Sequence, residues 1–188
     1  MMKRLVCIVE GKGEVAAIPN LCARILKHVG STAWVVDRDP IRQSRSSLVG
    51  DGLRRALELA VRRPADAVLV LCDADDDCAA TWGPQASTLV SERMAGAGVM
   101  AVREYEGWLL HNQDPLELSR LTKRSPEEIR DAKGYLGKLV PGYKPTAHQL
   151  QQTRLLDIER VASRSQSFCK LVRAIAGLCG ASYQRPST

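Results

Sequence analysis

The sequence has few aromatic residues, few histidines and no long apolar run. Aromatic side chains make up 4% of the 188 residues, so Val, Leu, Ile and Ala must fill the core. No apolar run approaches the roughly 18–20 residues that a membrane-spanning helix needs. The three histidines, His28, His111 and His148, are isolated, and none has a partner that indicates nucleophilic catalysis.

The six cysteines form no C-x-x-C pair and show no Cys/His spacing typical of zinc sites. Most lie inside apolar segments, where a free cysteine packs as a small hydrophobic residue. The apolar stretch 5–9 is followed by Glu10 and Lys12, where a secretory signal would have a small-residue cleavage site. We therefore expect a soluble protein of a reducing cytoplasm, not attached to a membrane.

Apolar segments of strand length alternate with segments of helical periodicity over the first 103 residues. Strands are predicted at residues 4–9, 33–36, 67–72 and 98–102, and helices at residues 14–28, 48–63 and 87–95. The polar stretch 39–47 is predicted to be a loop. This alternation predicts an α/β fold with a mostly parallel four-stranded sheet flanked by helices.

After residue 103 the pattern changes to helices and loops. Helical patterns cover residues 106–110, 149–162 and 166–179, and the Ser-Pro-Glu-Glu run at 125–128 predicts a helix start. Residues 135–146 are rich in Gly, Pro and Lys and are predicted to be a loop. We therefore divide the chain into an α/β core, residues 1–110, and a basic helical appendage, residues 111–188.

Positive charge is concentrated in the second of these segments. Residues 1–110 contain fourteen Lys or Arg and fourteen Asp or Glu, whereas residues 111–188 contain thirteen and seven, so the net charge of +6 lies in the appendage. This distribution favours binding of nucleic acid or another polyanion. An ordinary solvated basic surface would have the same composition. The candidate phosphate contacts of this segment are Lys133, Lys138, Lys144, Arg164 and Lys170.

Four carboxylates among five residues follow the third predicted strand: Asp73, Asp75, Asp76 and Asp77. Carboxylates this close repel one another and raise each other's pKa unless a cation lies among them. In open parallel sheets, ligands bind at the C-terminal edge of the strands. The cluster therefore predicts a divalent-cation site, unless Arg103 cancels the repulsion in a structural role. Asp76 is the least suitable of the four, because it faces the other way if the strand continues.

The first predicted strand ends in a second acidic segment, the turn EGKGE at residues 10–14. Its glycines allow a tight turn and the close approach of a ligand, but no complete phosphate-loop motif is present. Glu10 is aimed at the same sheet edge as Asp73 and Asp75, and Glu14 lies one helical turn further on. The helix dipole favours an acidic residue at a helix N-terminus, which would explain Glu14 alone but not Glu10.

Glu104 and Glu106 follow the fourth predicted strand and are within reach of the same edge. On a helix the two side chains diverge by about 200°. Glu106 begins the segment that contains Trp108 and is the preferred additional carboxylate, although a surface helix explains it equally well. Trp108 is predicted to be a core residue rather than a platform for base stacking.

The two acidic motifs together resemble the Toprim fold, which occurs in topoisomerases, bacterial primases, RecR-type repair proteins and OLD-family nucleases. Val9-Glu10-Gly11 follows the first strand and Asp73-x-Asp75 follows the third. The string E-G-x-x-E at residues 10–14, followed by Pro19, is most similar to the OLD-like branch. The resemblance covers about residues 3–105. The segment REYEGWLL at 103–110 and the pair at 167–168 also resemble an uncharacterised Toprim-related family of prokaryotic mobile and defence loci.

This resemblance implies a nuclease that depends on Mg²⁺ or Mn²⁺ and cleaves DNA or RNA, with antiviral defence as its setting. Glu10, Asp73 and Asp75 would be the catalytic residues, and Gly11 and Lys12 would join the basic residues of the appendage in binding the substrate. The resemblance makes Glu10, Asp73 and Asp75 the metal ligands. Beside them, Glu14 or Asp77 would help to hold a second metal ion, and Glu106 is the additional carboxylate. Because 188 residues leave no room for the ATPase domain that accompanies OLD nucleases, a separate ATPase partner is expected by analogy.

Three other classes of protein also fit an apolar strand that runs into D-x-D. A haloacid-dehalogenase-type phosphatase has this motif after its first strand, and a glycosyltransferase that uses nucleotide sugars does not require Glu-Gly after strand one. A non-catalytic Toprim scaffold would bind nucleic acid or an ATPase partner without cutting. Product analysis identifies the first two, and metal-dependent cleavage separates a nuclease from a scaffold.

Overall fold

The computed structural model describes residues 2–187. The strands are β1 (Lys3–Val9), β2 (Trp34–Val36), β3 (Ile41–Arg42), β4 (Ala67–Asp73) and β5 (Gly96–Ala101). The helices between them are α1 (Glu14–His28), α2 (Arg45–Leu48), α3 (Gly52–Val61) and α4 (Ala79–Ser91). After β5 come α5 (Tyr105–His111), α6 (Pro115–Leu121), a 3₁₀ turn (Pro126–Glu128), α7 (Ala132–Leu139), α8 (Pro145–Leu155), α9 (Ile158–Arg164) and α10 (Gln166–Leu178).

The sheet is parallel throughout and has the order β2-β1-β4-β5, with the short strand β3 also paired to β1. The predicted α/β fold with helices around a mostly parallel sheet is confirmed, with five strands in place of four. The strand order reverses between β1 and β4, and such a switch point leaves a crevice at the C-terminal ends of the two strands. The register pairs Val9 with Leu71, so the chain leaves both strands side by side at Glu10 and Asp73.

Side chains alternate along the strands and build one apolar core on each face of the sheet. Leu5, Cys7 and Val9 of β1 pack on the face that α1, α5, α9 and α10 cover, which we call the α1 face. Val6 and Ile8 pack on the opposite face, the α3 face, which α2, α3 and α4 cover. Because helices cover both faces, the strands are apolar along nearly their whole length.

The C-terminal helices complete the core of the α1 face. Phe168 and Leu171 of α10 are fully buried there together with residues of β1 and β4. Trp108 is also fully buried, and its Nε1 donates a hydrogen bond to Ser167 Oγ at 2.8 Å. Trp108 is therefore a core residue, as predicted. The division of the chain near residue 110 stays a prediction, since both segments contribute to this one core.

Several helix boundaries differ from those predicted. The expected loop 39–47 contains β3 and α2, and the expected helix 48–63 is interrupted at residues 49–51 between α2 and α3. Helix α4 begins at Ala79, eight residues before the predicted helix at 87–95, and accommodates Pro84 within it. No helix is predicted at α6, although Asp114 followed by Pro115 is a typical N-terminal sequence and Asp114 Oδ1 accepts hydrogen bonds from the first turn.

The segment 131–164 differs most from the prediction. The expected loop 135–146 contains the second half of helix α7 and the first residues of α8, and only residues 140–144 of it lie outside a helix. The Asp131 side chain accepts a hydrogen bond from Gly134 N at 2.9 Å and caps α7. The expected helix 149–162 is two helices, α8 and α9. Asp157 begins the second one, where its side chain accepts a hydrogen bond from Arg160 N at 3.0 Å. Helix α8 begins at Pro145, earlier than expected, and this brings its first turn to the sheet edge.

All six cysteines are free, and Cys7, Cys22, Cys72 and Cys169 are buried in the two cores. They pack as small hydrophobic side chains, as the sequence predicts. Within residues 2–187, no helix combines the length and the apolar character that crossing a membrane requires.

Close packing of α4 on β5 depends on a glycine, and this makes a stability prediction. A Cβ atom at Gly98 would lie 2.5 Å from the Cβ of Ala86 and 3.1 Å from the carbonyl oxygen of Gly83. We expect Gly98→Ala to lower the free energy of unfolding by about 1–3 kcal/mol, because the helix must move away from the strand. Gly137 of α7 has nothing within 4 Å of such an atom, so the control Gly137→Ala should raise it by up to about 1 kcal/mol. Urea denaturation measures both, and equal effects would contradict the packing argument.

Candidate acidic site at the sheet edge

A cavity of about 300 Å³ lies at the C-terminal edge of the sheet, beside the switch point between β1 and β4. The turn before α1, the start of α5, helix α7 and the first turn of α8 surround it. We call it the acidic pocket, because four of its lining residues are acidic. The lining includes Glu14, Asp73, Glu104 and Glu106, the cations Lys12 and Lys133, and Gln149.

Asp73 reaches the pocket because it is the last residue of β4. Along this strand Leu69 and Leu71 pack on the α1 face, and Asp73 continues the same alternation. Its Oδ1 accepts a hydrogen bond from Tyr105 N, at the start of α5, at 2.8 Å. The carboxylate is therefore held between a strand end and a helix start.

Glu14 is the first residue of α1 and folds back over the turn that precedes it. Its Oε2 accepts hydrogen bonds from Glu10 N at 3.2 Å and from Gly11 N at 3.1 Å. Gly11 is well suited to this position, because a Cβ atom there would lie 2.9 Å from Glu14 Oε1. Glu14 is only 5% exposed, so the turn and the helix start form one closed unit.

Glu104 and Glu106 connect β5 and α5 to the C-terminal helices. Glu106 is 4% exposed and accepts a hydrogen bond from the hydroxyl group of Tyr143 at 2.9 Å. Glu104 precedes α5 and accepts a hydrogen bond from Lys133 N, in the first turn of α7, at 2.9 Å. Both side chains line the pocket, although the sequence favours only Glu106.

The pocket acids lie close enough to raise one another's pKa. Loss of solvation, followed by the nearby charges of Glu14, Glu106 and Glu10, raises the pKa of Asp73 well above its usual value. Burial is also the main reason why the pKa of Glu14 rises to about 7 and why the pKa of Glu106 is raised. None of the ion pairs formed within residues 2–187 includes these side chains. Protons therefore balance part of this charge unless a cation binds.

The other aspartates of the DADDD run point away from the pocket and are paired with arginines. Asp75 has a left-handed backbone, with φ of 48°, so the alternation of β4 ends there. Its carboxylate pairs with Arg45 Nε at 3.1 Å, and Asp77 pairs with the same guanidinium group. Arg45 also donates hydrogen bonds to the carbonyl oxygens of Asp73 and Ala74. Arg45 belongs to α2, so these two acids are turned toward the α3 face.

Asp76 is neutralised from another direction. It pairs with Arg103 and with Arg130, the latter at 2.9 Å. Arg103 has a φ of 63° and also donates a hydrogen bond to the carbonyl oxygen of Asp75 at 2.8 Å. The structural role considered for Arg103 is thus present, but it concerns Asp76 and not the acids of the pocket.

Glu10 lies between these two groups of acids. Its Oε2 accepts a hydrogen bond from Asp73 N at 3.3 Å, so the acidic residues that follow β1 and β4 do converge. The pKa of Glu10 is raised mainly by burial and also by Asp75, while the hydrogen bond from Asp73 N and the charge of Arg45 oppose the shift. Glu10 is half-buried and belongs to the rim between the acidic pocket and the arginine-paired aspartates.

Three of the predicted substrate contacts lie at the pocket: Gly11, Lys12 and Lys133 line it. Lys144 directly precedes the lining residue Pro145 at the start of α8. The other predicted contacts do not line the pocket. Lys138 lies over the ring of Tyr135, Arg164 donates a hydrogen bond to the carbonyl oxygen of His111, and Lys170 approaches Gly83 of α4.

Gln149 is a pocket residue that sequence reasoning does not find. It is 2% exposed, and its Oε1 has no hydrogen-bond partner in the described part of the chain. A Cβ atom at Gly13 would lie 2.0 Å from this oxygen and 3.0 Å from the backbone of Pro145, so Gly13 permits α8 to approach. The sequence offers no signal for this contact, because it depends on where α8 begins.

The donor set suits a hard cation, although no three Asp, Glu, His or Cys side chains within residues 2–187 are already arranged to hold a metal ion. Mg²⁺ usually takes one or two protein carboxylates and completes its coordination with water and substrate phosphate. Asp73 and Glu106 each use one carboxylate oxygen in a protein hydrogen bond, and the second oxygen accepts none from residues 2–187. These two acids, with Glu14 and Glu10 beside them, fit such a cation.

Fold and site together define a doubly wound α/β protein with an acidic pocket at its strand-order switch point. The chain belongs to the family described as a domain of unknown function, DUF4276, which matches residues 9–176. The match includes Glu10, Asp73, Glu106 and the helices that close the pocket. No curated protein and no solved structure matches the chain.

The raised pKa of Glu14 makes the stability of the metal-free protein depend on pH. The Glu14 carboxyl group loses its proton near pH 4.5 in the unfolded chain and near pH 7 in the folded protein. The stability that this proton contributes is therefore fully present at low pH and is lost as the pH rises through this window. We expect Glu14→Gln to flatten this loss and to stabilise the protein at about pH 8 by on the order of 3 kcal/mol. Urea denaturation in EDTA between about pH 5 and pH 8 measures this.

The control for this experiment is Glu58→Gln, which changes an exposed glutamate of α3. It should leave the pH profile as in the unmodified protein. A profile of Glu14→Gln that is equally steep, or a loss of stability at high pH, would contradict the assigned burial of Glu14.

Proposed function

We propose that this chain is a nuclease of the Toprim type that requires Mg²⁺ or Mn²⁺ and cleaves DNA or RNA at the acidic pocket. The observation that carries the proposal is the contrast between two sets of acids. Glu14, Asp73 and Glu106 face one cavity without an ion pair in residues 2–187, whereas the three aspartates at 75–77 are all paired with arginines. Uncompensated acids at a ligand-binding edge are suited to a cation.

The order of the motifs along the fold also supports the proposal. Glu10 follows the first strand and Asp73 ends β4, its neighbour across the switch point, which is where the Toprim resemblance requires the two acids. The assignment of the sheet to the Toprim fold is part of the proposal. A role as a defence effector with a separate ATPase partner rests on the same resemblance alone.

In the proposed site, the side chains of the pocket have separate roles in binding the cation, binding the phosphate group and transferring protons. Asp73 and Glu106 would hold the cation, which when bound supplies charge stabilisation and an activated water. Lys12 and Lys133 at the pocket bind the phosphate group and orient it toward the acids. The hydroxyl group of Tyr143 fixes the carboxylate of Glu106. Glu10, at the half-buried rim, exchanges protons with bulk water and serves as general acid or base.

The position of Asp75 bears on the alternatives. A phosphatase or a glycosyltransferase with D-x-D needs both aspartates at one centre, but here Asp73 lines the pocket while Asp75 pairs with Arg45. Asp75, which the Toprim motif implies as a ligand, and Asp77 bind a cation only if they leave Arg45. A non-catalytic scaffold that binds nucleic acid or an ATPase partner needs no such change and is the second candidate.

Thermal unfolding with and without Mg²⁺ tests which acids form the centre. Asp73→Asn removes a buried acid whose charged form is disfavoured by burial and by its acidic neighbours, so we expect it to raise the melting temperature in EDTA and to abolish the stabilisation by Mg²⁺. Asp75→Asn is the matched control, since it removes a half-exposed ion pair worth at most about 1 kcal/mol and should keep the stabilisation by Mg²⁺. Equal loss in both variants would place Asp75 in the centre.

Cleavage assays test the activity itself. Single- and double-stranded DNA and RNA are incubated with the protein in Mg²⁺, in Mn²⁺ and in EDTA. We expect cleavage only with metal, loss of cleavage in Asp73→Asn and unchanged cleavage in Glu58→Gln. Cleavage that persists in EDTA or in Asp73→Asn would refute the proposed centre. Binding of nucleic acid without cleavage in either metal would favour the scaffold.

A further inference from the structure

A second, larger cavity of about 840 Å³ lies between α1, the edge strand β2 and α8. Three exposed cations line it: Lys27 of α1, Arg38 after β2 and Arg154 of α8. Of the described residues that line this cavity, none is acidic. We call it the basic groove. Its charge is opposite to that of the acidic pocket, although both lie against α1 and α8.

The groove also contains a tryptophan that packs only at the margin of the core. Trp34 of β2 is half-buried and lines the cavity, whereas Trp108 is completely buried and Trp82 is 9% exposed. The ammonium group of Lys3 lies over the Trp34 ring, 5.4 Å from its centroid, so it adds positive charge at this ring face and a base that stacks there displaces it. In a protein with so few aromatic residues, an accessible indole among cations is suited to stack a nucleotide base.

Asn20 supplies a polar group at the floor of the groove. Its Oδ1 is buried and has no hydrogen-bond partner in the described part of the chain. A buried amide oxygen without a partner is costly, and if the Asn20 side chain turns toward the groove, a ligand that donates a hydrogen bond satisfies it. The exocyclic amino groups of nucleotide bases are donors of this kind.

The groove and the acidic pocket share the same two helices. On α8, Gln149 lines the pocket, and the next residue, Leu150, lines the groove. On α1, the residues Ala16, Asn20 and Lys27 lie at the spacing of one helical face and line the groove, and Lys12, in the turn before α1, lines the pocket. The small side chain of Ala16 leaves room for a ligand to pass close to the helix.

We propose that the basic groove binds single-stranded nucleic acid, with a base stacked on Trp34 and phosphates at Lys27, Arg38 and Arg154. A single strand fits better than a duplex, because its bases are free to leave their neighbours and stack on a protein side chain. Continuation of the strand along α1 into the acidic pocket rests on the proposed nuclease function. Binding in the groove does not.

A protein strand added to the edge of the sheet is the competing occupant. It would pair with β2, but this strand has only three residues and offers few backbone hydrogen bonds. Nor does such an addition account for three cations without an acidic residue in the lining. The charge of the groove thus favours a polyanion.

Fluorescence polarisation tests the proposal with labelled strands of about 12 nucleotides, single and duplex, in EDTA so that no metal-dependent cleavage occurs. We expect tighter binding of single strands. The logarithm of the affinity should fall with the logarithm of the salt concentration with a slope of about −2, since each of three neutralised phosphates contributes about −0.7. Arg154→Glu should weaken binding and make this slope less steep. Arg55→Glu, an exposed site on the α3 face, is the matched charge-reversal control and should bind like the unmodified protein.

The stacking step has its own pair of variants. We expect Trp34→Leu to weaken binding about tenfold, whereas Trp34→Phe keeps an aromatic face and should keep most of the affinity. Binding should also quench tryptophan fluorescence in the unmodified protein, and Trp34→Phe should lose this quenching.

The outcomes separate this proposal from the nuclease proposal. If Trp34→Leu and Arg154→Glu bind single strands as Arg55→Glu does, the groove proposal is overturned, even where the protein still cleaves nucleic acid. Preference for duplex, or no binding of any strand at about 50 mM salt, would also overturn it. If the groove variants lose binding but the unmodified protein cuts nothing in Mg²⁺ or Mn²⁺, the groove is supported and the nuclease proposal fails.

Discussion

The parallel pairing of β1 with β4 is the constraint on which the candidate site depends. These strands are neighbours in the sheet although a helix, two short strands and two further helices separate them in the chain. Their register brings the acids after one strand to the backbone of the other, and Glu10 accepts its hydrogen bond from Asp73 N. Carboxylates line the crevice that this switch point leaves.

The acidic residues at this sheet edge form two groups, and the backbone conformation decides to which group an aspartate belongs. Asp73 keeps the alternation of β4 and faces the cavity. Asp75 has a left-handed backbone conformation. From that residue onward, the carboxylates pair with arginines of α2 and of the segments that precede α5 and α7. Arginines thereby neutralise the exposed aspartates at 75–77. The acids of the pocket have no ion-pair partner in residues 2–187, and their charged forms are costly without a counter-ion.

The sequence predicts the parts of the fold that depend on local pattern. Strands β1 and β4 and helices α1 and α10 follow the expected periodicity. Glu10 and Asp73 are found from their positions at strand ends, and Glu14 and Glu106 from their positions in the segments that follow a strand. It does not predict that Arg45 pairs with Asp75 and Asp77, because this arginine begins helix α2, where a loop is expected. Nor does it predict Gln149, because helix α8 reaches the pocket only through long-range packing. The D-x-D spacing suggests one site for Asp73 and Asp75, but the left-handed backbone at Asp75 directs its carboxylate to Arg45 instead.

Gly13 has a consequence for the order in which the site comes together. Its missing side chain lets the first turn of α8 lie against the turn that opens α1, so the cavity has walls from both ends of the chain. As the ribosome synthesises the chain from its N-terminus, the acidic residues emerge before α8 and remain in contact with water. They lose part of that solvation when α8 docks. A nascent chain therefore has no assembled acidic pocket, and the raised pKa values of these acids belong only to the finished protein.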